Sequence, residues 1–367
     1  MTSALFEPIH LRGLTLPNRI VVSPMCQYSA IDGDASDWHL IHLGHLALGG
    51  AGLLILEATA VDPVGRITPD CLGLWSDANE IALRRVLDVV RRHSPIPLVI
   101  QLGHAGRKAS SQRPWDGGAQ LAPEEGGWEC VAPSAVPHAD GELAPRALAT
   151  DELPQLVEAF ARSAERAERL GFDAIELHAA HGYLLHEFLS PIANRRDDAY
   201  GGSLENRMRF PLQVVAAVRD AWPADRPLGV RVSATDWIEG GWDIDQTLVL
   251  AGELRRLEVD WIDASSGGVS PRQSVPVGPG YQVPLAAAIR SSSGIPTIAV
   301  GLITEPHNAE EIIASGQADM VALARGMLFD PRWAWHAAAE LGATAHVPPQ
   351  YWRAAPAIAR GALNVQR

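Results

Sequence analysis

The chain has 367 residues, 47% of them hydrophobic, and a formal net charge of −13. That length suits one large domain or two ordinary ones with a sizeable core, and the acidic balance disfavours nucleic acid and anionic membranes as general partners. The three cysteines, Cys26, Cys71 and Cys130, form no C-x-x-C pair, so no iron–sulfur site, structural zinc or disulfide framework is expected.

The N-terminus, MTSALFEP, has no basic region followed by an apolar stretch, so no signal peptide is expected. No apolar run is long enough to span a bilayer, and a cytoplasmic location is expected.

Apolar, β-branched runs then alternate with helix-like segments. RIVVS (19–23) precedes IHLGHLALGG (41–50), with Ser36 and Asp37 as plausible caps. GLLILEA (52–58) precedes DANEIALRRVLDVVRRH (77–93), whose acidic start and basic end match a helix dipole. PLVIQL (97–102) leads into a Gly- and Pro-rich insertion, 103–150, holding Trp115 and Trp128. A segment of that size inside a compact domain is expected to be a lid or binding wall. The helix-like 151–171 ends at Gly171, a C-cap glycine. DAIEL (173–177) is followed by helix 205–221, PLGVRVS (227–233) by 243–258, VDWIDAS (259–265) by 282–292, IPTIAV (295–300) by 304–316, and DMVALA (319–324) by 331–342.

Continuous apolar runs suit strands buried on both faces of a parallel sheet. Eight strand–helix units close a TIM (β/α)8 barrel, so a single domain over 1–367 is expected. An open doubly wound sheet is the alternative, but no G-x-G-x-x-G follows the first strand.

Barrel sites form where the strands end, and these ends are chemically rich. The first runs into SPMCQYS with Cys26 and Tyr28, the second into Glu57 and Ala58–Ala60, and the third into Gln101, His104, Arg107 and Lys108. The fourth runs into ELHAAHGYLLHEFLSP, placing His178, His181 and Tyr183 just beyond it. Arg231 lies in the fifth, where a buried charge needs a partner. The last three give Ser265–Gly268, Gly301 and Ala324–Gly326. Small residues and Arg325 at the final two ends suit a phosphate, or the glycines simply turn the chain. His178 and His181 could be hydrogen-bond donors or, with His104, ligands of a hydrolytic metal. His186 and Glu187 read as structural or solvated.

SPMCQYS, QLGHAGRK, ELHAAHGYLLHEFLSPIANRRDDAYGGSLENRMRF, VRVS and GLIT together resemble the Old Yellow Enzyme family of flavin ene-reductases, over about residues 5 to 355. Cys26 and the C-terminal QYWR resemble its bacterial thermophilic-like subgroup, related to xenobiotic reductases. The resemblance implies non-covalent FMN, reduced by NADPH or NADH, that passes hydride to an activated alkene. It places Pro24, Met25, Cys26 and Ala60 beside the isoalloxazine and Gln101 and Arg231 at its polar edge. Ser266, Gly267, Gly301, Ala324 and Arg325 would follow the ribityl chain and phosphate. Family members often have Gly-Arg where this chain has Ala324-Arg325; a backbone N–H survives that change.

Hydride addition to an enone pushes negative charge onto the carbonyl oxygen, and losing one fixed donor there costs on the order of 100-fold. His178 and His181 suit that task, Tyr28 offers another hydroxyl, and Tyr183 retains a proton for the α-carbon because a phenol pKa is about 10. Pro348 and Pro349 suggest that 345–367 leaves the barrel as an extended tail, the alternative being that Trp352 folds back on its own barrel. The resemblance implies that Arg353 completes a neighbouring subunit's site, in a homodimer or a homotetramer built from dimers.

Overall fold

The computed structural model describes residues 3–354 and 361–364. Eight parallel strands close a barrel in chain order: β1 (Ile20–Val22), β2 (Leu53–Ala60), β3 (Leu98–Gly103), β4 (Ala174–Ala179), β5 (Leu228–Ser233), β6 (Trp261–Ser265), β7 (Thr297–Val300) and β8 (Met320–Leu323). The closing pair sets Val321 opposite Ile20. The helices between them are α1 (Asp37–Ala47), α2 (Asp77–His93), α3 (Leu153–Arg169), α4 (Leu204–Ala221), α5 (Ile244–Arg256), α6 (Val283–Ser293) and α7 (Pro306–Ala314), with α8 (Trp333–Glu340) after β8. Among the described residues no helix is long and apolar enough to cross a membrane.

All eight strand runs form strands, and the boundaries differ for local reasons. Helix α1 starts at Asp37, four residues before the apolar run, because Ser36 caps it and the Ser36 N–H donates to His39 Nδ1 at 3.0 Å. His39 in turn sits 3.1 Å from Glu57 of β2. Strand β4 runs on to Ala179, so His178 lies on the strand rather than beyond it. Helix α4 accommodates Pro211 in its interior.

Two apolar regions hold the barrel. The larger packs the outer strand faces against the helices, through residues such as Leu54, Ile100, Phe160, Phe188 and Phe210. The smaller fills the interior with Val21, Leu53, Val99, Ala174, Trp261, Ile298 and Met320. Ile9, Leu11 and Leu16 of an N-terminal hairpin (Ile9–Leu11 with Leu14–Leu16) join this interior cluster.

The insertion is built rather than shapeless. It contains 3-10 turns at Gly106–Lys108, Pro114–Asp116 and Pro123–Glu125, and a small ladder pairs Val131–Ala132 with Arg146–Ala147. Trp128 pins it: its indole N–H donates to Val64 O at 2.9 Å, and Arg66 lies over its ring at 5.0 Å.

Where it is described, the C-terminal segment departs from the expectation of an extended tail; 355–360 and 365–367 lie outside the described residues. Pro349–Tyr351 is a 3-10 turn folded back on the barrel, with Trp352 Nε1 donating to Val347 O at 3.2 Å. Arg332 stacks between the Trp335 and Tyr351 rings, 4.8 Å from each centroid. Ala345–His346 pairs with Leu363–Asn364, and Arg353 is exposed.

One glycine is dictated by an indole. A Cβ on Gly229 would lie 1.9 Å from Trp261 Cε2. Gly229→Ala should therefore displace Trp261 and cost roughly 1–3 kcal/mol, the range for overpacked cores. A thermal melt followed by circular dichroism measures this; an unchanged midpoint would show that the interior can yield.

Candidate active site

Alternate residues of a barrel strand face the axis. Two positions beyond the apolar residues Val99, Ala174 and Trp261 come Gln101, Glu176 and Asp263, and Arg231 stands likewise beyond Gly229; all four are buried. Gln101 Nε2 donates to Glu176 Oε1 at 2.8 Å, and Trp261 Nε1 donates to Glu176 Oε2 at 3.0 Å. Arg231 Nε lies 3.1 Å from Asp263 Oδ2. Sequence reasoning left a ligand to balance Arg231, but a protein carboxylate already stands beside it. Burial, and then repulsion from Asp263, push the Glu176 carboxyl up to about 7. Glu176 and Asp263 were missed as site residues. Their signal was an acidic residue inside each apolar strand, two places after its first residue.

The next layer carries His178, Ser233 and Ser265. Ala180 N–H donates to His178 Nδ1 at 3.3 Å, which leaves the His178 proton on Nε2. That nitrogen is 3.3 Å from His181 Nδ1, and His181 Nε2 is 2.7 Å from Ser265 Oγ. One tautomer set therefore satisfies the whole chain, with His178 donating to His181 and His181 to Ser265. Burial, and then the Arg231 charge, hold both imidazoles well below the ordinary histidine pKa, so they are neutral. The Tyr183 ring packs edge-on to His178 at 4.8 Å, and burial raises its phenol well above the ordinary value. Lys108 Nζ caps this corner, donating to His181 O at 2.8 Å and Gly268 O at 3.1 Å.

Across the mouth, burial holds the Cys26 thiol protonated, with the Cys71 and Glu57 charges adding to the effect. Tyr28 hydrogen-bonds Cys26 and is likewise held protonated by burial. Trp115 of the insertion packs edge-on against Tyr28 at 5.7 Å while remaining 62% exposed. Pro24 and Met25 are half-buried at the end of β1, and buried Ala60 shares a narrow cleft with Cys71, His104, His178 and Tyr183. His104 stands apart from the histidine pair in bonding, since its Nδ1 accepts from Gly106 N–H at 3.0 Å. Among the described residues no group of three or more His, Cys, Asp or Glu is placed to hold a metal ion.

A cavity of about 190 Å³ opens at the ends of β7 and β8, lined by Arg231, Gln282, Gly301, Ala324, Arg325 and Gly326 among others. Gly301 has φ 126°, and a Cβ there would meet Gln282 and Tyr281 at 3.0 Å. The N–H groups of Arg325 and Gly326 begin the short helix Arg325–Phe329 and have no intrahelical acceptor. The other two expected residues are engaged elsewhere. Ser266 Oγ donates to Gln282 Oε1 at 2.6 Å, and Gly267 N–H donates to Thr235 O at 2.8 Å.

Glu187, read from sequence as structural or solvated, is fully buried. Its Oε1 accepts from Arg107 N–H at 2.8 Å, and burial pushes its pKa to about 8. The folded value lies above the unfolded one of about 4.3. Its contribution to stability is therefore full below that value and lost as pH rises through about 8. Glu187→Gln keeps the acceptor and has no proton to lose. Between about pH 5 and about pH 9, the variant's melting temperature should fall less than the parent's. Parallel curves would show that Glu187 does not titrate in that range.

A family profile described as "NADH:flavin oxidoreductase / NADH oxidase family" matches residues 4–343. A protein named NADPH dehydrogenase from Geobacillus thermodenitrificans (strain NG80-2) is 45% identical over 355 residues, covering 96% of this chain and 99% of the relative. Another of that name, from Halalkalibacterium halodurans, is 44% identical over 356 residues, with the same coverage. Among solved structures, morphinone reductase superposes with TM-score 0.78 at 30% identity, covering 94% of this chain and 91% of that one. A 2-naphthoyl-CoA reductase complex, 24% identical, shares the fold at TM-score 0.80 over 90% of this chain and 51% of its own. With the profile spanning nearly the whole barrel, the chain belongs to the NADH:flavin oxidoreductase (Old Yellow Enzyme) family and is a flavin oxidoreductase.

Proposed function

We propose that the protein is an FMN-dependent ene-reductase that uses NADPH or NADH to reduce activated C=C bonds of α,β-unsaturated carbonyl or nitro compounds. The observation that carries this reading is the meeting, at one barrel mouth, of a neutral histidine pair, a protonated tyrosine and an Arg231-lined cavity.

The residues suit FMN. Gly301, the free N–H groups of Arg325 and Gly326, and the Arg325 guanidinium would hold the phosphate, with Ala324 and the backbone at Ser266–Gly267 beside the ribityl chain. Gln101 and Arg231 would bind the polar ring edge, and Pro24, Met25, Cys26 and Ala60 would border the ring system. When bound, the flavin supplies a two-electron hydride carrier between nicotinamide and alkene.

The chain's own groups do the rest. Turning His181 away from Ser265 frees N–H donors of both imidazoles for the substrate oxygen, where negative charge develops. Neutral imidazoles can sit side by side there without mutual repulsion. Tyr183 gives its proton to the α-carbon, since its raised pKa keeps the phenol loaded at neutral pH. Cys26 stays a thiol and presents a polarisable, uncharged group, while Tyr28 under Trp115 walls the substrate side.

The deciding experiment is stopped-flow on the purified protein, following flavin absorbance. NADPH or NADH should bleach bound FMN, and cyclohexenone should restore its colour. Tyr183→Phe should slow the second step by about 100-fold or more while leaving the first nearly intact, because only the second needs a proton at carbon. Failure to bind FMN would overturn the cofactor reading; equal slowing of both steps would overturn the tyrosine's role.

The same reading includes a shared site. Arg353 is exposed beside an aromatic cluster, and cationic and aromatic groups are what interface cores favour. In a homodimer, or a homotetramer built from dimers, it would reach a neighbour's substrate. Mixing Arg353→Ala with Tyr183→Phe under subunit exchange should restore part of the activity, because some mixed dimers keep one intact site. No recovery despite proven exchange would refute sharing.

A further inference from the structure

We propose that His186, held by Asp236, is the positioning residue for His181 and Tyr183; this rests on the ene-reductase reading, in which those two side chains handle the substrate. The turn that carries them is unusual. His181 and Gly182 both have positive φ, 58° and 74°, a region that L side chains rarely adopt. Nor can the turn relax outward: a Cβ on Gly182 would lie 2.2 Å from Gly268 O, and one on Gly268 would lie 2.5 Å from His181 Cα. Two backbones are in contact there.

The N–H between the two functional side chains belongs to Gly182, and it donates to His186 Nδ1 at 2.9 Å. His186 is fully buried one turn further along, in the short helix Leu184–Leu189. Accepting at Nδ1 leaves its proton on Nε2, which lies 2.9 Å from Asp236 Oδ1. Asp236 is itself fixed, since its Oδ2 accepts from Ser190 Oγ at 2.6 Å and Trp242 N–H at 2.7 Å. The loop after β5 thereby selects one tautomer of His186, and that tautomer pins the middle of the turn. His181 N–H is held separately by Ser233 Oγ at 2.9 Å, and Lys108 holds His181 O. Tyr183 N–H closes the turn on Ala180 O at 3.1 Å and Leu184 N–H donates to His104 O at 2.9 Å; His186 adds the side-chain hold at Gly182 between them, helping set the direction in which Tyr183 leaves the turn and its angle to His181. It touches no reacting atom and acts through the backbone.

Two substitutions separate the halves of this device. His186→Asn places an amide oxygen where Nδ1 stood, keeping the acceptor and losing the reach to Asp236. His186→Gln keeps an N–H near Asp236 and loses the acceptor. Stopped-flow and titration with p-hydroxybenzaldehyde, a phenol that mimics an enolate oxygen, should show His186→Asn within about threefold of the parent. His186→Gln should lose about tenfold or more in alkene reduction and phenol affinity, with flavin reduction by NADPH unchanged, as misplacement of reacting groups predicts. Equal behaviour of the two variants, or equal loss in both half-reactions, would overturn the proposal. Should His186→Gln fail to fold, nitrogen-15 NMR of the parent decides, with His186→Asn used to assign the signal. A His186 protonated at Nε2 and coupled across a hydrogen bond to the Gly182 amide supports the assignment; a proton on Nδ1 overturns it. A parent enzyme that binds FMN and phenol but reduces no alkene would instead fault the functional reading.

Discussion

The whole site stands on one buried ion pair. Arg231 and Asp263 face each other inside the barrel with Glu176 close by, so one cation sits with two carboxyls where water cannot screen them. Both carboxyls ionised would leave an uncompensated buried charge, which is strongly unfavourable. Glu176 relieves this by holding its proton up to about pH 7, while accepting from Gln101 and Trp261. The inner strands are thus locked to one another by side chains as well as by backbone ladders. The Arg231 charge also helps keep His178 and His181 neutral in the layer above. Floor and site are electrostatically one unit.

A second constraint explains why the long R-R-D-D-A-Y-G-G stretch accompanies the histidine segment. Arg196 donates to Pro133 O and Leu148 O, which follow the two parallel strands of the insertion's ladder at the same end, and its guanidinium is clamped by Asp198. Asn194 bridges Phe188 O and Tyr200 O, both at 2.8 Å. Arg107 reaches Val136 O, Pro137 O and Val269 O from the other side. These cations bind carbonyls rather than substrate. They turn a Gly- and Pro-rich segment into a wall whose position is set by the barrel.

Much of this was legible in the sequence, and the reasons are physical. A strand buried on both faces must be continuously apolar, so all eight runs stood out, and the chemistry gathers where such runs end. Helix starts were legible from their caps, as Ser36 was for α1; the reciprocal bond from Ser36 N–H to His39, and the reach of His39 to Glu57 across 18 residues, were not. His178, His181 and Tyr183 were visible as a cluster. That Ser233 and Ser265 hold His181, and Asp236 holds His186, was not visible, since each lies on a different strand or loop and carries no spacing signal toward its partner. Arg231 was recognised as a charge needing a partner, but its partner is the residue opposite it on β6, a register fact. The C-terminal aromatics read from sequence either as an interface or as a local fold-back, and the sequence did not decide between them, because the Arg332 that stacks on Tyr351 sits some twenty residues earlier.

The distribution of rigidity follows from the same contacts. Every group that would face flavin or substrate on the β4 side is braced from beneath: His178 by Ala180, His181 by Ser233, and Gly182 by His186. On the opposite side, Tyr28 is backed by Cys26 and by an indole that is mostly in solvent. On the proposed ene-reductase reading, a proton donor and an oxygen-binding pair lose effectiveness steeply with small displacements, whereas a wall against the substrate does not. Buried hydrogen bonds accordingly gather at the His181–Gly182 turn, and the exposed aromatic is left to the insertion. On that reading, substrate scope can vary along the insertion without disturbing the charge-balanced floor beneath the histidine pair.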